Sequence, residues 1–341
     1  SFEIKEKYEL KKGSLLICFS SGSKSHLGKV ALVDKHYKYA FGGFIGQITP
    51  SNNIDPKYLF YSLISEDYKS YIAQLTDGVN INNLKIKDLQ GFQIPVPPLE
   101  EQKQIVAKLD QCFEAIDKAK ANAAKNLENA KALFQSKLND IFSQKGEGWV
   151  EKKLGDVCKT GAGGTPLKSK KEYYINGDVP WLVSGEVKQG NVFKSKKFIT
   201  QEGLNNSSAK LFPKNTVLVA MYGATAGDVG ILRFESSTNQ AVCGILPNDK
   251  FLPEFVSYSF QYKKDELISK ATGNAQPNIS QIKIKNTLIP VLSIKEQNKI
   301  VQLLDKLKEQ TQSLECKYQQ ELNSLEELKK SILQKAFEGE L

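Results

Sequence analysis

With 341 residues, 40% hydrophobic and 25% charged, the chain is long enough for two domains with cores of their own. A net charge of +9 and a pI near 9.0 suggest a polyanionic partner, nucleic acid before membrane, although an ordinary basic cytosolic protein carries the same balance. Arg233 is the only arginine, so the positive charge is lysine, which keeps phosphate attraction and gives up bidentate forks.

The cysteines, Cys18, Cys112, Cys158, Cys243 and Cys316, show no C-x-x-C spacing, and the only histidines are His26 and His36. That composition argues against a zinc site and makes a reduced cytosol the natural compartment. No apolar run approaches the roughly 18 residues of a membrane span, and no signal-peptide pattern opens the chain. The expectation is a cytoplasmic, soluble protein without a membrane partner.

In chain order, residues 14–19 (SLLICF), 29–33 (KVALV) and 41–48 (FGGFIGQI) read as strands, the last broken by glycines that suggest a bulge or a close backbone approach. Asp55-Pro56 opens a helical pattern over 56–72, with Tyr58, Leu59, Leu63, Ile64, Tyr68 and Ile72 on one face. A loop at Gly78 carries Asn80, Asn82 and Asn83, which either cap the next helix or face a ligand. From Pro98 to Lys145 the period becomes that of one long helix, with Ile105, Leu109, Cys112, Ile116, Ala119, Ala123, Leu127, Ala130, Phe134, Leu138 and Ile141 on its stripe. Such a helix extends about 70 Å, and its alanines imply a close-packed partner helix.

That partner is supplied by a repeat. Residues 94–110 (IPVPPLEEQKQIVAKLD) return as 289–305 (IPVLSIKEQNKIVQLLD), pairing Gln102 with Gln297 and Asp110 with Asp305 at one constant offset. The second helix carries Ile300, Leu304, Leu307, Leu314, Tyr318, Leu322, Leu325, Ile332 and Ala336. Residues 216–221 (TVLVAM) match 14–19, and 253–269 match 56–72. The opening of the second half, from Trp149, has no counterpart in the first, so the first domain is expected to be incomplete at its N-terminal side. The division is therefore 1–97, first domain; 98–145, first spacer helix; 146–292, second domain; and 293–341, second spacer helix. The fold class is α+β, with two pseudo-symmetric mixed α/β domains and two long antiparallel coiled-coil helices.

Several enzyme motifs are approached and missed. In the run from Gly161 to Ser169, Leu167 stands where a phosphate loop needs glycine before its lysine, and Pro166 removes an amide. The run reads better as a glycine-rich surface loop whose neighbours Lys168, Lys170 and Lys171 approach a phosphate backbone. Asp178, Glu186 and Lys188 have the spacing of a metal-dependent nuclease core, in which two carboxylates hold a divalent ion that activates water. There is no Ser-His-Asp set, no dinucleotide fingerprint and no adenine-methylase tetrad. The chain reads as non-catalytic.

Taken together, Leu154-Gly155-Asp156-Val157, Gly164-Thr165-Pro166, Pro180-Trp181, residues 221–225 (MYGAT), 276–279 (QPNI), both Ile-Pro-Val-to-Glu-Gln stretches and 334–339 (QKAFEG) resemble the specificity subunit of type I restriction-modification enzymes. The resemblance covers essentially the whole chain. It implies two target-recognition domains at opposite ends of two long antiparallel helices, each reading one half of a split sequence in double-stranded DNA. It also implies two modification subunits docked on the scaffold and restriction subunits beyond them. No cofactor is then expected in this chain; S-adenosylmethionine, ATP and Mg²⁺ belong to the partner subunits. A rigid spacer between basic domains independently suits fixed half-site spacing.

Loops hold the candidate DNA contacts. They are Thr165, Lys168, Lys170, Tyr222, Thr225, Asn274 and Gln276 in the second domain, and Ser20, Ser23, Lys24, Asn80 and Asn82 in the first. For each, a solvated loop or a helix cap is the competing reading, and Tyr222 is equally a candidate core aromatic. Trp181 reads as core. Two further functions stay open: a nuclease built on Asp178, Glu186 and Lys188, and a coiled-coil interaction protein without DNA reading.

Overall fold

The computed structural model describes residues 9–76, 83–144, 148–187, 190–271 and 278–340. It begins with β1 (Glu9–Leu10), β2 (Leu15–Cys18), β3 (Val30–Leu32), β4 (Tyr37–Ala40), β5 (Ile45–Ile48), α1 (Pro56–Ser62), α2 (Glu66–Thr76), α3 (Ile86–Gln90) and α4 (Leu99–Ser143). Next come β6 (Val150–Lys153), α5 (Leu154–Val157), β7 (Thr160–Ala162), β8 (Val179–Leu182), α6 (Ser184–Val187), β9 (Asn191–Val192), β10 (Phe198–Ile199), α7 (Gln201–Asn205) and β11 (Leu211–Phe212). The remainder is β12 (Val217–Ala220), β13 (Val229–Leu232), β14 (Ser236–Thr238), β15 (Val242–Ile245), α8 (Pro253–Tyr262), α9 (Lys264–Ser269), α10 (Gln281–Lys285), β16 (Leu288–Val291) and α11 (Ile294–Glu338).

These elements form two mixed α/β units, one of residues 1–128 with 316–341 and one of residues 129–315. Each long helix starts in one unit and ends in the other. Helix α4 contains no Pro or Gly, and Glu100 and Glu101 sit in its first turn, where negative charge suits the helix dipole. In the first unit α4 and α11 run antiparallel, since Asp117 pairs with Lys329 (2.8 Å) and Lys120 with Glu326 (2.5 Å). Exposed pairs of this kind contribute at most about 1 kcal/mol, so adhesion comes from the buried cluster of Leu109, Phe113, Ile116, Leu333 and Ala336.

The stripe on α4 differs from the expected one at its ends, where Phe113 and Phe142 are buried in place of Cys112 and Ile141. Each meets a domain aromatic. Phe113 stands edge-on to Tyr61 (5.4 Å between centroids), and Phe142 stacks on Tyr262 (5.4 Å). Between them the expected Ala123 and Ala130 are buried, seven residues apart, which permits close approach of a neighbouring helix.

The residues of the repeat join each long helix to its domain. Gln102 is fully buried; its Oε1 accepts from Asp55 N (2.8 Å) and its Nε2 donates to the carbonyls of Asn53 (3.0 Å) and Pro97 (2.8 Å). Gln297, equally buried, accepts from Leu252 N (2.9 Å) and donates to the carbonyls of Lys250 (2.8 Å) and Leu292 (2.9 Å). Two turns further along, Tyr61 donates to Asp110 (2.5 Å) and Tyr258 to Asp305. Burial, reinforced by the carboxylate acceptor, raises both phenols well above their ordinary range, so each remains a donor.

The sheets repeat as well. In the first unit the strand order is β3-β2-β5, all antiparallel, with Leu15 opposite Leu32 and Ile48. In the second, the corresponding β13-β12-β15 is extended on both edges to β7-β15-β12-β13-β9, and Val217 lies opposite Ile231 and Ile245. The second unit adds a four-stranded sheet, β10-β8-β14-β11, and the pair β16-β6.

Two expectations are corrected. Residues 56–72 and 253–269 each form two short helices instead of one. In the first unit Ser65 Oγ accepts from Tyr68 N (3.2 Å) and donates to Ser62 O (2.8 Å), which caps a new helix. The second unit has its break at Lys263, the cap between α8 and α9. The glycine run at 161–164 is interior packing and not a surface loop: a Cβ on Gly163 meets Thr238 Oγ1 at 2.1 Å, and one on Gly164 meets Ala209 N at 2.2 Å. The close approach expected within 41–48 is real, for a Cβ on Gly46 meets the Phe19 ring at 1.9 Å.

Replacing the buried Gln297 by Ala removes the partner of three backbone groups and is expected to cost about 2–4 kcal/mol of stability, read as a lower urea midpoint; an unchanged midpoint contradicts the joint described above. Burial pushes the Cys243 thiol up to about 12, whereas Cys316 is exposed. A maleimide is expected to label Cys316 in the native chain and to reach Cys243 only after unfolding, as peptide mass mapping can check.

Candidate nucleic-acid interface

Backbone pairing gathers several loops of the second unit at one end of its five-stranded sheet. Where β12 ends, Met221 N donates to Ala241 O (2.8 Å) and Ile279 N to Met221 O (2.8 Å). Where β7 ends, Gly163 N donates to Val242 O (3.0 Å) and Gly164 N to Thr238 O (2.9 Å). The loops beginning at Thr165, Asn239, Tyr222 and Asn278 therefore share one rim, while the strands behind them are buried.

On this rim Tyr222 is 38% exposed, which excludes the core-aromatic reading, and it forms an isolated bridge with Asn278. After it a 3-10 turn, residues 223–225, depends on Gly223 at φ +72°, a backbone region that favours glycine. Thr225 Oγ1 reaches back to Tyr222 O (3.5 Å) at the edge of hydrogen-bond range. Thr165 Oγ1 hydrogen-bonds Gln240 Oε1, leaving the Gln240 amide nitrogen for another partner.

The turn that follows carries the positive charge. Lys168 is exposed, and Lys170 N donates to Leu167 O (3.0 Å) to close the turn. Lys170 Nζ donates to the Tyr173 hydroxyl (3.0 Å) and lies 5.0 Å from that ring's centre. The hydroxyl contact raises its pKa, so its charge is secure at neutral pH. Asn274 and Gln276 lie outside the described residues.

The first unit repeats part of this layout. Ser20 occupies the Tyr222 position, and its bridge to Asn83 matches Tyr222–Asn278. Ser23 shares a hydrogen bond with Ser25 (2.8 Å). Lys24 Nζ donates to Thr76 O (3.1 Å), so it reaches back to the last turn of α2. Asn80 and Asn82 lie outside the described residues.

Sequence reasoning overlooked Gln240, whose available signal was its place in a short polar turn between two strands. It also overlooked Tyr39 and Phe44, each 69% exposed in the first unit, where Tyr37-Lys38-Tyr39 alternates aromatic rings with charge.

Glu186 belongs to the structure of a loop. It is buried, with Oε2 accepting from Val183 N (3.0 Å) and Oε1 from Lys196 N (2.9 Å), so both carboxylate oxygens are already engaged. Asp178 is exposed, and Lys188 lies outside the described residues. Among the described residues, no group of three or more His, Cys, Asp or Glu side chains is placed to hold a metal ion, and no helix is long and apolar enough to cross a membrane.

The sequence pattern of the type I restriction modification DNA specificity domain matches residues 2–126 and 146–324. The chain belongs to this family. It is 26% identical to the StySPI specificity subunit of Salmonella potsdam and 27% identical to the EcoKI specificity subunit of Escherichia coli K12, in each case over 99% of this chain and 77% of the relative. The HsdS subunit from Thermoanaerobacter tengcongensis has the same fold, with a TM-score of 0.65 at 21% identity over 99% of this chain and 84% of that one. So has a chain solved in work on assembly and conformational transition of the type I R-M system, with a TM-score of 0.81 at 22% identity over 98% and 83%. Within this family fold, Tyr222 and Asn278 sit side by side in the second unit, as do Ser20 and Asn83 in the first.

Glu186→Ala is expected to lower stability by about 2 kcal/mol, because two backbone amides lose the buried carboxylate that accepts from them, while Asp178→Ala is expected to be neutral. Equal urea midpoints for the two variants contradict the structural role of Glu186.

Proposed function

We propose that this chain is the DNA-reading subunit of a type I restriction-modification complex and carries no catalytic centre itself. Each unit reads one half of a two-part site in double-stranded DNA, and α4 with α11 sets the gap between the halves. Thr165, Gln240, Tyr222 and Thr225, with Asn274 and Gln276, supply base contacts in the second half. Lys168 and Lys170 position the phosphate backbone. In the first unit Ser20, Ser23, Lys24, Asn80 and Asn82 take the corresponding part. The helices dock two modification subunits, which bring S-adenosylmethionine, and restriction subunits, which use ATP and Mg²⁺.

The observation that carries this reading is the duplicated bridge, Ser20–Asn83 and Tyr222–Asn278, which sets the same two loops side by side in both units. Family membership supports it. So does a basic charge made almost wholly of lysine, which suits backbone attraction more than base forks.

Binding of the chain to a labelled duplex, followed by anisotropy across salt concentrations, tests the proposal. A steep linear fall of log K with log salt is expected, and Lys168→Ala and Lys170→Ala each reduce the slope by about 1. A negligible slope contradicts direct DNA reading.

A further inference from the structure

Residues 168–171 and 194–197 both read Lys-Ser-Lys-Lys, and each run follows an exposed apolar residue, Leu167 (61%) or Phe193 (72%). The first run belongs to the turn beside the rim, and the second lies between β9 and β10. Hydrogen bonds make the two runs neighbours. Thr200 N donates to Tyr173 O (2.9 Å) and Thr200 Oγ1 to Glu172 O (3.1 Å), which joins the chain just after each run. Buried Trp181 spans them as well: its backbone N donates to Lys197 O (2.9 Å) and its ring Nε1 to Gly164 O (2.9 Å), next to Thr165 of the rim.

The fold fixes the backbone of the second run and leaves its side chains outside. Arg233 N donates to Val192 O (2.8 Å), Lys196 N to the buried Glu186 Oε1 (2.9 Å), and Ser195 Oγ to Lys197 O (2.8 Å). Ile199 is then buried opposite Val179 on β8. Between these anchors Phe193, Lys194, Lys196, Lys197 and Phe198 are exposed. Among the described residues, none of the three lysines is in an ion pair. The lysines of both runs stand against Glu172 and Glu202, the carboxylates that act on Lys170. The neighbouring runs therefore form one basic surface, with large apolar side chains set among the charges.

We infer that the turn at 193–198 is a further, sequence-independent DNA contact, in which Lys194, Lys196 and Lys197 neutralise phosphates of the duplex and Phe193 and Phe198 pack on its deoxyribose. An ammonium group attracts phosphate as a point charge, and phenylalanine has no hydrogen-bonding group with which to read a base. Lysine is depleted in protein interfaces, so a protein partner is the poorer occupant of this surface. The inference rests on DNA reading by the second unit, and it extends the contact from the rim across Trp181 to β10.

Anisotropy of a labelled duplex across salt concentrations, measured on the full chain, is the test. Lys194→Ala, Lys196→Ala and Lys197→Ala combined are expected to reduce the slope of log K against log salt by about 2–3, and arginine at the same three positions to restore it. Phe193→Ala is expected to lower affinity about tenfold with the slope unchanged. In cells that also express the modification subunit, the N6-methyladenine motif is expected to be the same for the wild type and the triple alanine variant. A steep wild-type slope that the triple alanine variant keeps overturns the inference and leaves DNA reading standing. A negligible wild-type slope overturns DNA reading and the inference with it. A slope lost equally with arginine in place means that the charge is not what binds, and overturns the inference too. So does a changed motif, which makes the turn a base reader. Loss of the modification-subunit complex with the slope unchanged assigns the turn to a protein partner and also overturns it.

Discussion

A long helix can organise a domain only if its entry point is fixed, and here a buried glutamine fixes it. A glutamine amide has one acceptor oxygen and two donor hydrogens, enough to satisfy three backbone groups from a single position. Gln102 and Gln297 each do so, joining the chain before α1 or α8 to the segment that enters α4 or α11. Each bond is worth about 1 kcal/mol net, but leaving a buried partner unmade costs about 1–3 kcal/mol, so the joint specifies geometry more than it adds stability. The tyrosine-to-aspartate bond two turns later prevents the helix from rotating about that joint.

This explains which parts of the repeat return in both halves. At the helix entries the apolar Ile105, Val106 and Leu109 return unchanged as Ile300, Val301 and Leu304, whereas beyond Asp110 and Asp305 the apolar positions vary in identity, because seam side chains can be exchanged with small adjustments. The polar positions have no such freedom: shortening Gln or Asp by one methylene withdraws the hydrogen-bonding atoms from their partners. Glu296 adds a more local contribution, accepting from Ser293 N (3.1 Å) and Ser293 Oγ (2.7 Å) to cap the helix start. Burial of the α4 stripe then follows from where the joint points the helix, and its ends turn toward Tyr61 and Tyr262 for aromatic packing.

Much of the fold was legible in the sequence because its largest elements repeat their signals many times. A stripe sustained over 45 residues and two matching Glu-Gln entries leave little ambiguity about long helices. What escaped was local or long-range. Ser65 splits a helix whose apolar face continues across the break, so periodicity gave no warning. β14 reads Ser-Ser-Thr, a composition typical of loops, yet is fully buried between two strands. The glycines at 163 and 164 read as a surface loop until Thr238 and Ala209 are placed against them. On the rim, Tyr222 and Thr225 are near neighbours in sequence, but Thr165 meets Gln240 only through pairing of β7 with β15.

The chain is proposed to read two half-sites. The most direct measurement is a single-molecule map of N6-methyladenine in cells that express the chain with the modification subunit of its own system. A two-part motif with one fixed gap is predicted, one half assigned to each unit. A palindrome built from a single half-site, or no new methylation from a verified complex, contradicts it.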